Sequence, residues 1–336
     1  MKFTWSQLKK PFTALAPMED VTDSVFRQIV ASVSKPDIMF TEFVSVEGLC
    51  SEGRARLLPK LAYVSQERPL IAQLWGVTPK HFYTVAGEVA DMGFDGIDIN
   101  MGCPQKNIMK TGGGAALIDN PELAGAIIRA TREGIRHAKS TIPLSVKTRI
   151  GNKRRITEEW IRFLLTLRLD ALTIHGRIAK DQSFVPADWN EIQKASILRS
   201  ELGVPTVLIG NGDVTSYAQA VRYARIYHMD GIMIGRGILR NILCFNPDGI
   251  SFPKEQLLDI LGKHISLFET AYGSQSPKFV MMKKFFKLYI RDFDGSRGLR
   301  DALMESQNPS EALKILKPMR GIEAKIGVAV SQKVKM

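Results

Sequence analysis

Eight short apolar runs alternate with helical segments between residues 12 and 237, which predicts an α/β fold, a (β/α)8 TIM barrel. Two further observations support that class. The first run is followed by Ala16-Pro17-Met18, with none of the glycine-rich phosphate turns that an open doubly wound sheet places there. Beyond Arg240 the alternation stops and helical patterns alone remain, so a small C-terminal helical domain follows the barrel.

The predicted strands are residues 12–17, 38–43, 70–76, 96–102, 144–150, 171–177, 206–212 and 231–237, each an apolar run closed by glycine or a polar residue. Most of the gaps carry helical periodicity behind a start signal. Asp20-Val21-Thr22-Asp23 precedes Val25, Phe26, Ile29 and Val30, Thr78-Pro79 precedes Phe82, Val85 and Val89, and Asn120-Pro121-Glu122 precedes Leu123, Ile127 and Ile128. Thr157-Glu158-Glu159 opens a helix, and Thr215 is expected to cap the one carrying Tyr217, Val221 and Ala224. The gap at 45–64 has no clear helical pattern. Asn246-Pro247-Asp248-Gly249 and Phe252-Pro253 are turn-rich. They divide the chain into a barrel at 1–246, a linker at 247–253, a helical domain at 254–326 and a basic tail at 327–336.

The chain of 336 residues is 45% hydrophobic, enough for one large core and a small second domain. Cys50, Cys103 and Cys244 are too widely spaced for a disulfide framework or a CxxC metal site, which fits a reducing compartment. Residues 1–10 lack the apolar region of a secretory signal, and no run approaches the length of a membrane span. A cytoplasmic protein with no membrane association and no metal is expected. A net charge of +12 favours a polyanionic partner. Residues 254–336 hold 15 Lys and Arg against 9 Asp and Glu, so half of the excess lies on a quarter of the chain.

In a barrel the strand ends converge on one face, and the chemistry is sought there. Asp98-Ile99-Asn100-Met101-Gly102-Cys103-Pro104 places one cysteine in a backbone pinned by glycine and proline, with Asn100 just before it. The Lys110-Thr111-Gly112-Gly113-Gly114 stretch that follows is free to flex over whatever Cys103 faces. Lys147, apolar-flanked in Ser145-Val146-Lys147-Thr148-Arg149, points into the barrel mouth, where an unpaired lysine is costly. Two roles are open to it: a Schiff base, or stabilisation of negative charge on a bound ring. Gln73 offers both a donor and an acceptor to a heterocycle edge, and His175 can do likewise. Gly210-Asn211-Gly212-Asp213 and Gly235-Arg236-Gly237 follow strands seven and eight, where glycine turns and an arginine suit the phosphate of a cofactor.

These same stretches carry a resemblance. Ala16-Pro17-Met18-Glu19-Asp20-Val21-Thr22-Asp23, Thr41-Glu42-Phe43, Gln73-Leu74-Trp75-Gly76, the Asn100–Pro104 stretch, Lys147-Thr148-Arg149, Ile174-His175-Gly176-Arg177, Asn211-Gly212-Asp213 and Ile234-Gly235-Arg236-Gly237 resemble, in order, the bacterial tRNA-dihydrouridine synthases. The match runs over most of residues 11–240, and 254–326 resembles that family's helical tRNA-binding domain more loosely.

The resemblance implies an FMN enzyme that reduces the C5–C6 double bond of a uridine in tRNA, with NADPH as reductant. It places Pro17, Met18, Glu19, Gln73, Lys147 and His175 around the flavin. Asn211, Gly212, Asp213, Gly235 and Arg236 fall at its phosphate. Cys103 becomes the proton donor to C5 and Asn100 the residue that orients the base. The nearest rival is an FMN barrel acting on a small pyrimidine, which has no need of a basic helical domain. Lys283, Lys287 and Arg291 recur at i, i+4 and i+8 and are expected to share one helix face toward tRNA, with Phe285, Phe286 and Tyr289 packed inward. The protein is expected to be monomeric.

Overall fold

The computed structural model describes residues 3–317, so the expected tail at 327–336 and the end of the helical domain lie outside the described residues. All eight expected strands form: β1 (Phe12–Leu15), β2 (Ile38–Ser45), β3 (Leu70–Trp75), β4 (Gly96–Met101), β5 (Leu144–Arg149), β6 (Ala171–His175), β7 (Val207–Asn211) and β8 (Gly231–Ile234). They pair in parallel in sequence order, and β8 returns to β1 with Phe12 opposite Gly231, which closes the barrel. Most strands stop one to three residues short of their apolar runs. The residues left over, such as Pro17, Gly102 and Arg236, therefore sit in the loops at the C-terminal rim, beside Met18 and Cys103.

Two apolar layers hold the barrel. The N-terminal end is closed from inside by Trp5, Phe12, Ile38, Phe40, Ile71, Val207 and Met233. Outside, Val25, Phe26, Phe82, Ile127, Trp160, Ile192 and their neighbours bury the strands against the helices. The helix starts follow their signals in most places: Asp23 accepts from Phe26 N at 2.8 Å, and Asn120 accepts from Leu123 N at 3.1 Å. One cap differs from expectation. Ser216 caps helix Tyr217–Ile226, accepting from Gln219 N, while the Gln219 side chain turns back to accept from Thr215 N. The hydroxyl one residue closer to the helix has the reach, and the Thr215 N–H donates the reciprocal bond.

The segment with no clear periodicity folds as short turns, Val46–Leu49, Arg54–Leu57, Leu58–Leu61 and Ser65–Glu67. A buried ion pair ties it down. Arg27 and Glu67 meet at 2.5 Å with neither side chain exposed, and Arg27 also donates to Thr22 O and Ala62 O.

Helix Lys254–Tyr272 lies against helix Ser24–Val33, and the rings of Phe26 and Phe285 stack at 4.7 Å. Tyr272 Oη donates to Asp23 Oδ2 at 3.0 Å, so the C-terminal helices share the outer core of the barrel. Phe285, Phe286 and Tyr289 are buried as expected. The single helix expected through 283–291 does not form. Phe279–Lys283 ends before Phe286–Tyr289 begins, and Arg291 lies past the cap Ile290. The run is interrupted by tighter i→i+3 turns, Phe285 N donating to Met282 O and Leu288 N to Phe285 O, while Phe285 packs on Phe26 and Phe286 on Phe279. Lys283 donates to Met304 O instead, while Lys287 and Arg291 line a cleft of about 650 Å³ together with Arg240 and Arg300.

Candidate active site

The rim residues enclose a cavity of about 590 Å³, lined by Pro17, Met18, Lys147, Arg149, His175, Arg177, Asn211 to Thr215, Gly235 to Gly237, Leu239 and Arg240. Most of the expected cofactor residues meet here: Pro17, Met18, Lys147, His175, Asn211, Gly212, Asp213, Gly235 and Arg236. Glu19 and Gln73 do not line it: the Glu19 carboxylate pairs with Lys60 beside Glu42, and Gln73 is fully buried against Asp98 and Asn100.

Cys103 sits next to this cavity, 8% exposed, packed with Phe43, Ile108 and Trp75. Its loop is held by a polar chain that crosses three strands. Ser145 Oγ donates to Asp98 Oδ1 at 2.6 Å, and Gln73 Nε2 donates to Asp98 Oδ2 at 2.7 Å. Asn100 Nδ2 donates to Gln73 Oε1 at 2.9 Å, and Asn100 Oδ1 accepts from Gly102 N and from Cys103 N at 2.9 Å. The Asn100 side chain is thus held by the protein through Oδ1 and one of its two Nδ2 protons. The glycine-rich stretch after Cys103 is no flap. Gly114, at φ +58°, brings its backbone so close that a Cβ would meet Cys103 O at 2.7 Å, and Ala115 N donates to that oxygen. The glycines allow the loop to support Cys103 from beneath.

The electrostatics divide the site. Burial pushes the Cys103 thiol up, against the pull of the Gln105 N–H, Arg149 and Lys147, so it is a neutral thiol at neutral pH. Burial, with Arg149 adding to it, brings Lys147 down to about 8, and Lys147 has no hydrogen-bond or ion-pair partner among the described residues. Burial likewise lowers Arg149 to about 10 and raises Asp98 to about 6. Burial holds His175 well below its usual value, helped by Arg149 and Lys147. Because arginine only donates, His175 Nε2 accepts from Arg177 at 3.0 Å, and the ring proton belongs on Nδ1.

Arg149 and Arg177 were legible as strand-end residues but not as part of the site. Each stands two residues after a cavity residue, Lys147 and His175, and the period of a strand gives i and i+2 one face. Arg149 Nε donates to Gly102 O at 2.7 Å, and Arg177 grips Asp213 with both oxygens within 2.6 Å. Arg177, Arg236 and the Ala187 N–H outweigh partial burial and hold the Asp213 carboxyl below its usual range. Asn211 spends its amide on Met233 O at 2.8 Å, tying β7 to β8. The walls therefore carry Lys147, Arg149, Arg177, Arg236 and Arg240 against a single carboxylate, Asp213. Such a cavity suits a ligand with several negative charges.

The family model described as Dihydrouridine synthase (Dus) matches residues 14–325. A relative from Staphylococcus aureus named "Probable tRNA-dihydrouridine synthase" is 39% identical over 315 residues, 93% of this chain and 94% of its own. A Staphylococcus epidermidis relative of the same name is 40% identical over the same shares. "Probable tRNA-dihydrouridine synthase 2" of Bacillus subtilis is 36% identical over 93% of this chain and 95% of its own.

Proposed function

The chain belongs to the dihydrouridine synthase family, and from that premise we propose that it reduces the C5–C6 double bond of a uridine in tRNA, with FMN in the cavity and NADPH as reductant. The observation that carries the reading is a neutral, buried thiol on a fixed loop beside a strongly basic cavity.

The residues present fit a phosphorylated flavin. Lys147 is a partly buried cation with no partner among the described residues, and the surplus of cations over Asp213 matches a phosphate together with a ring that gains negative charge. At Gly235 the backbone leaves room beside Ala16 and Met18, the nearest atom to a Cβ being 3.6 Å away. Lys147 would offset charge at the N1 and O2 edge, Pro17 and Met18 would bear on the ring, and Gly212, Gly235 and Arg236 would face the phosphate. Bound and reduced, FMN supplies the hydride to uracil C6, a chemistry no side chain offers.

The protein supplies the rest. Cys103 donates its Sγ proton to C5, acting as general acid in the form that burial favours. Asn100, whose amide is engaged with Gln73 and the Cys103 loop, orients the acid rather than the base. The neutral His175 offers an Nδ1–H to a carbonyl at the uracil or flavin edge. Glu19 anchors Lys60 beside Glu42. The cleft of Lys287, Arg291, Arg240 and Arg300 opens from the same rim and takes the tRNA backbone. Lys283 lies outside this cleft, its amine donating to Met304 O.

The test is direct. Purified protein should show a flavin absorption band and convert uridine to dihydrouridine in tRNA lacking that modification. Activity on orotate or free uracil instead would move the assignment to a small-molecule enzyme, and a colourless, inactive protein would remove the flavin.

A further inference from the structure

The loops that follow β5 and β6 are joined by their backbones, Ala179 N to Gly151 O at 3.0 Å and Lys180 N to Asn152 O at 3.1 Å. Together they expose Lys153, Arg154, Arg155 and Lys180. Arg155 is paired with Asp188; the other three have no ion-pair partner among the described residues. The β6 loop also exposes two apolar side chains, Phe184 at 84% and Val185 at 41%.

Phe184 is not on a slack tip. Its N–H donates to Asp181 O at 2.9 Å, and Gln182 N donates to Ala179 O at 3.1 Å. Two cavity arginines hold the loop from below: Arg177 Nε donates to Val185 O at 2.5 Å and Arg149 Nη1 to Gln182 O at 3.3 Å. Ala187 N donates to the Asp213 carboxylate at 2.8 Å. Gln182 is kept at φ +45°, a backbone region that side chains rarely adopt. The mount is therefore rigid, and it is built from the same residues that form the cavity wall.

We propose that these joined loops are an RNA-binding surface on the barrel itself, where the Phe184 ring stacks on an unpaired base next to the uridine that enters the cavity. Lys153, Arg154 and Lys180 take the flanking phosphates. The inference rests on the tRNA reading above. Three features favour this occupant. A base can reach a cavity only when it is out of its stack, so its neighbours are exposed as well. An aromatic face among cations is the pairing that single-stranded nucleic acid binds, through stacking and backbone charge. The loop already lies at the rim, so a strand delivering a base to the cavity passes over it.

The experiment measures the tRNA KM and the salt dependence of binding for Phe184→Ala, Phe184→Leu and Phe184→Trp, with the melting temperature as the control for folding. Alanine should raise KM about 5- to 100-fold, as expected for one lost stacked base. Leucine should be no better than alanine, and tryptophan should restore the wild-type value. The emission gained by Phe184→Trp should be quenched by tRNA. The triple change Lys153→Gln, Arg154→Gln, Lys180→Gln should flatten the salt dependence. Active wild-type enzyme together with an unchanged KM in Phe184→Ala overturns the stacking surface alone. Full rescue by leucine overturns it in favour of an apolar docking contact. A wild-type protein that forms no dihydrouridine overturns the tRNA reading and this surface with it.

Discussion

Asn100→Ala tests whether Asn100 acts on the substrate or through Cys103. The change removes three internal hydrogen bonds, to Gln73 Oε1, Gly102 N and Cys103 N. Each buried group left without a partner costs about 1–3 kcal/mol, and water entering the vacated space recovers part of that, so about 2–4 kcal/mol of stability should be lost. For a chain of this size the melting temperature should fall by roughly 3–6 °C. The Cys103 loop would still rest on Gly114 and Ala115, so the thiol is displaced rather than lost. A misplacement of about 1 Å costs on the order of 10²-fold in rate. The assay is re-oxidation of the reduced enzyme by tRNA in a single turnover. If Asn100 works through Cys103, the double variant Asn100→Ala, Cys103→Ala should be no slower than Cys103→Ala alone. Losses that multiply in the double variant would refute this and return Asn100 to the uracil.

Three further outcomes follow from the same geometry. Lys147→Met should weaken FMN affinity about 10- to 100-fold by removing a charge-assisted partner, read by flavin titration. The same change should raise the melting temperature of flavin-free protein, since a buried cation without a partner is removed. Lys147 titrates near 8 when folded and near 10.5 when unfolded, so between these values the unfolded chain holds the extra proton. Flavin-free wild type should therefore gain stability as pH rises from 8 to 10.5, and its affinity for FMN should fall above about 8, with Lys147→Met flat in both. Glu67→Ala should cost about 3–5 kcal/mol in urea unfolding, because it strands the Arg27 guanidinium in a fully buried site. Changing Lys287, Arg291 and Arg300 to Gln should lower the salt slope of tRNA binding by roughly 0.7–0.9 for each phosphate left without its cation, with flavin content unchanged.

The barrel was legible because its signals are local. Each strand is an apolar run with its own stop, and Asp23 and Asn120 cap the helices that their positions announce. Cys103, Lys147 and His175 were legible because a barrel gathers its strand ends, whatever the loops do. What each side chain does there was not, since its partners come from other strands. Asn100 looks free in the sequence and is engaged by Gln73 from β3; Asn211 looks aimed at a phosphate and is engaged by Met233 from β8. The basic face failed for a related reason. Helical spacing at Lys283, Lys287 and Arg291 supposes an unbroken helix, but i→i+3 turns around Phe285 and the end of the next helix at Tyr289 interrupt it, and no local sequence signal marks them.

The central claim is that Cys103 protonates a uridine of tRNA after hydride transfer, and one measurement bears on it most directly. Cys103→Ala and wild-type enzyme, each carrying FMN, are reduced with NADPH and then mixed with tRNA that lacks dihydrouridine. Both should be reduced at the same rate, since that step does not use the thiol. Wild type should then be re-oxidised as dihydrouridine forms, and the alanine variant should do so about 10²–10⁴-fold more slowly. Equal re-oxidation and equal dihydrouridine from the two proteins would contradict the assignment of Cys103 as the acid.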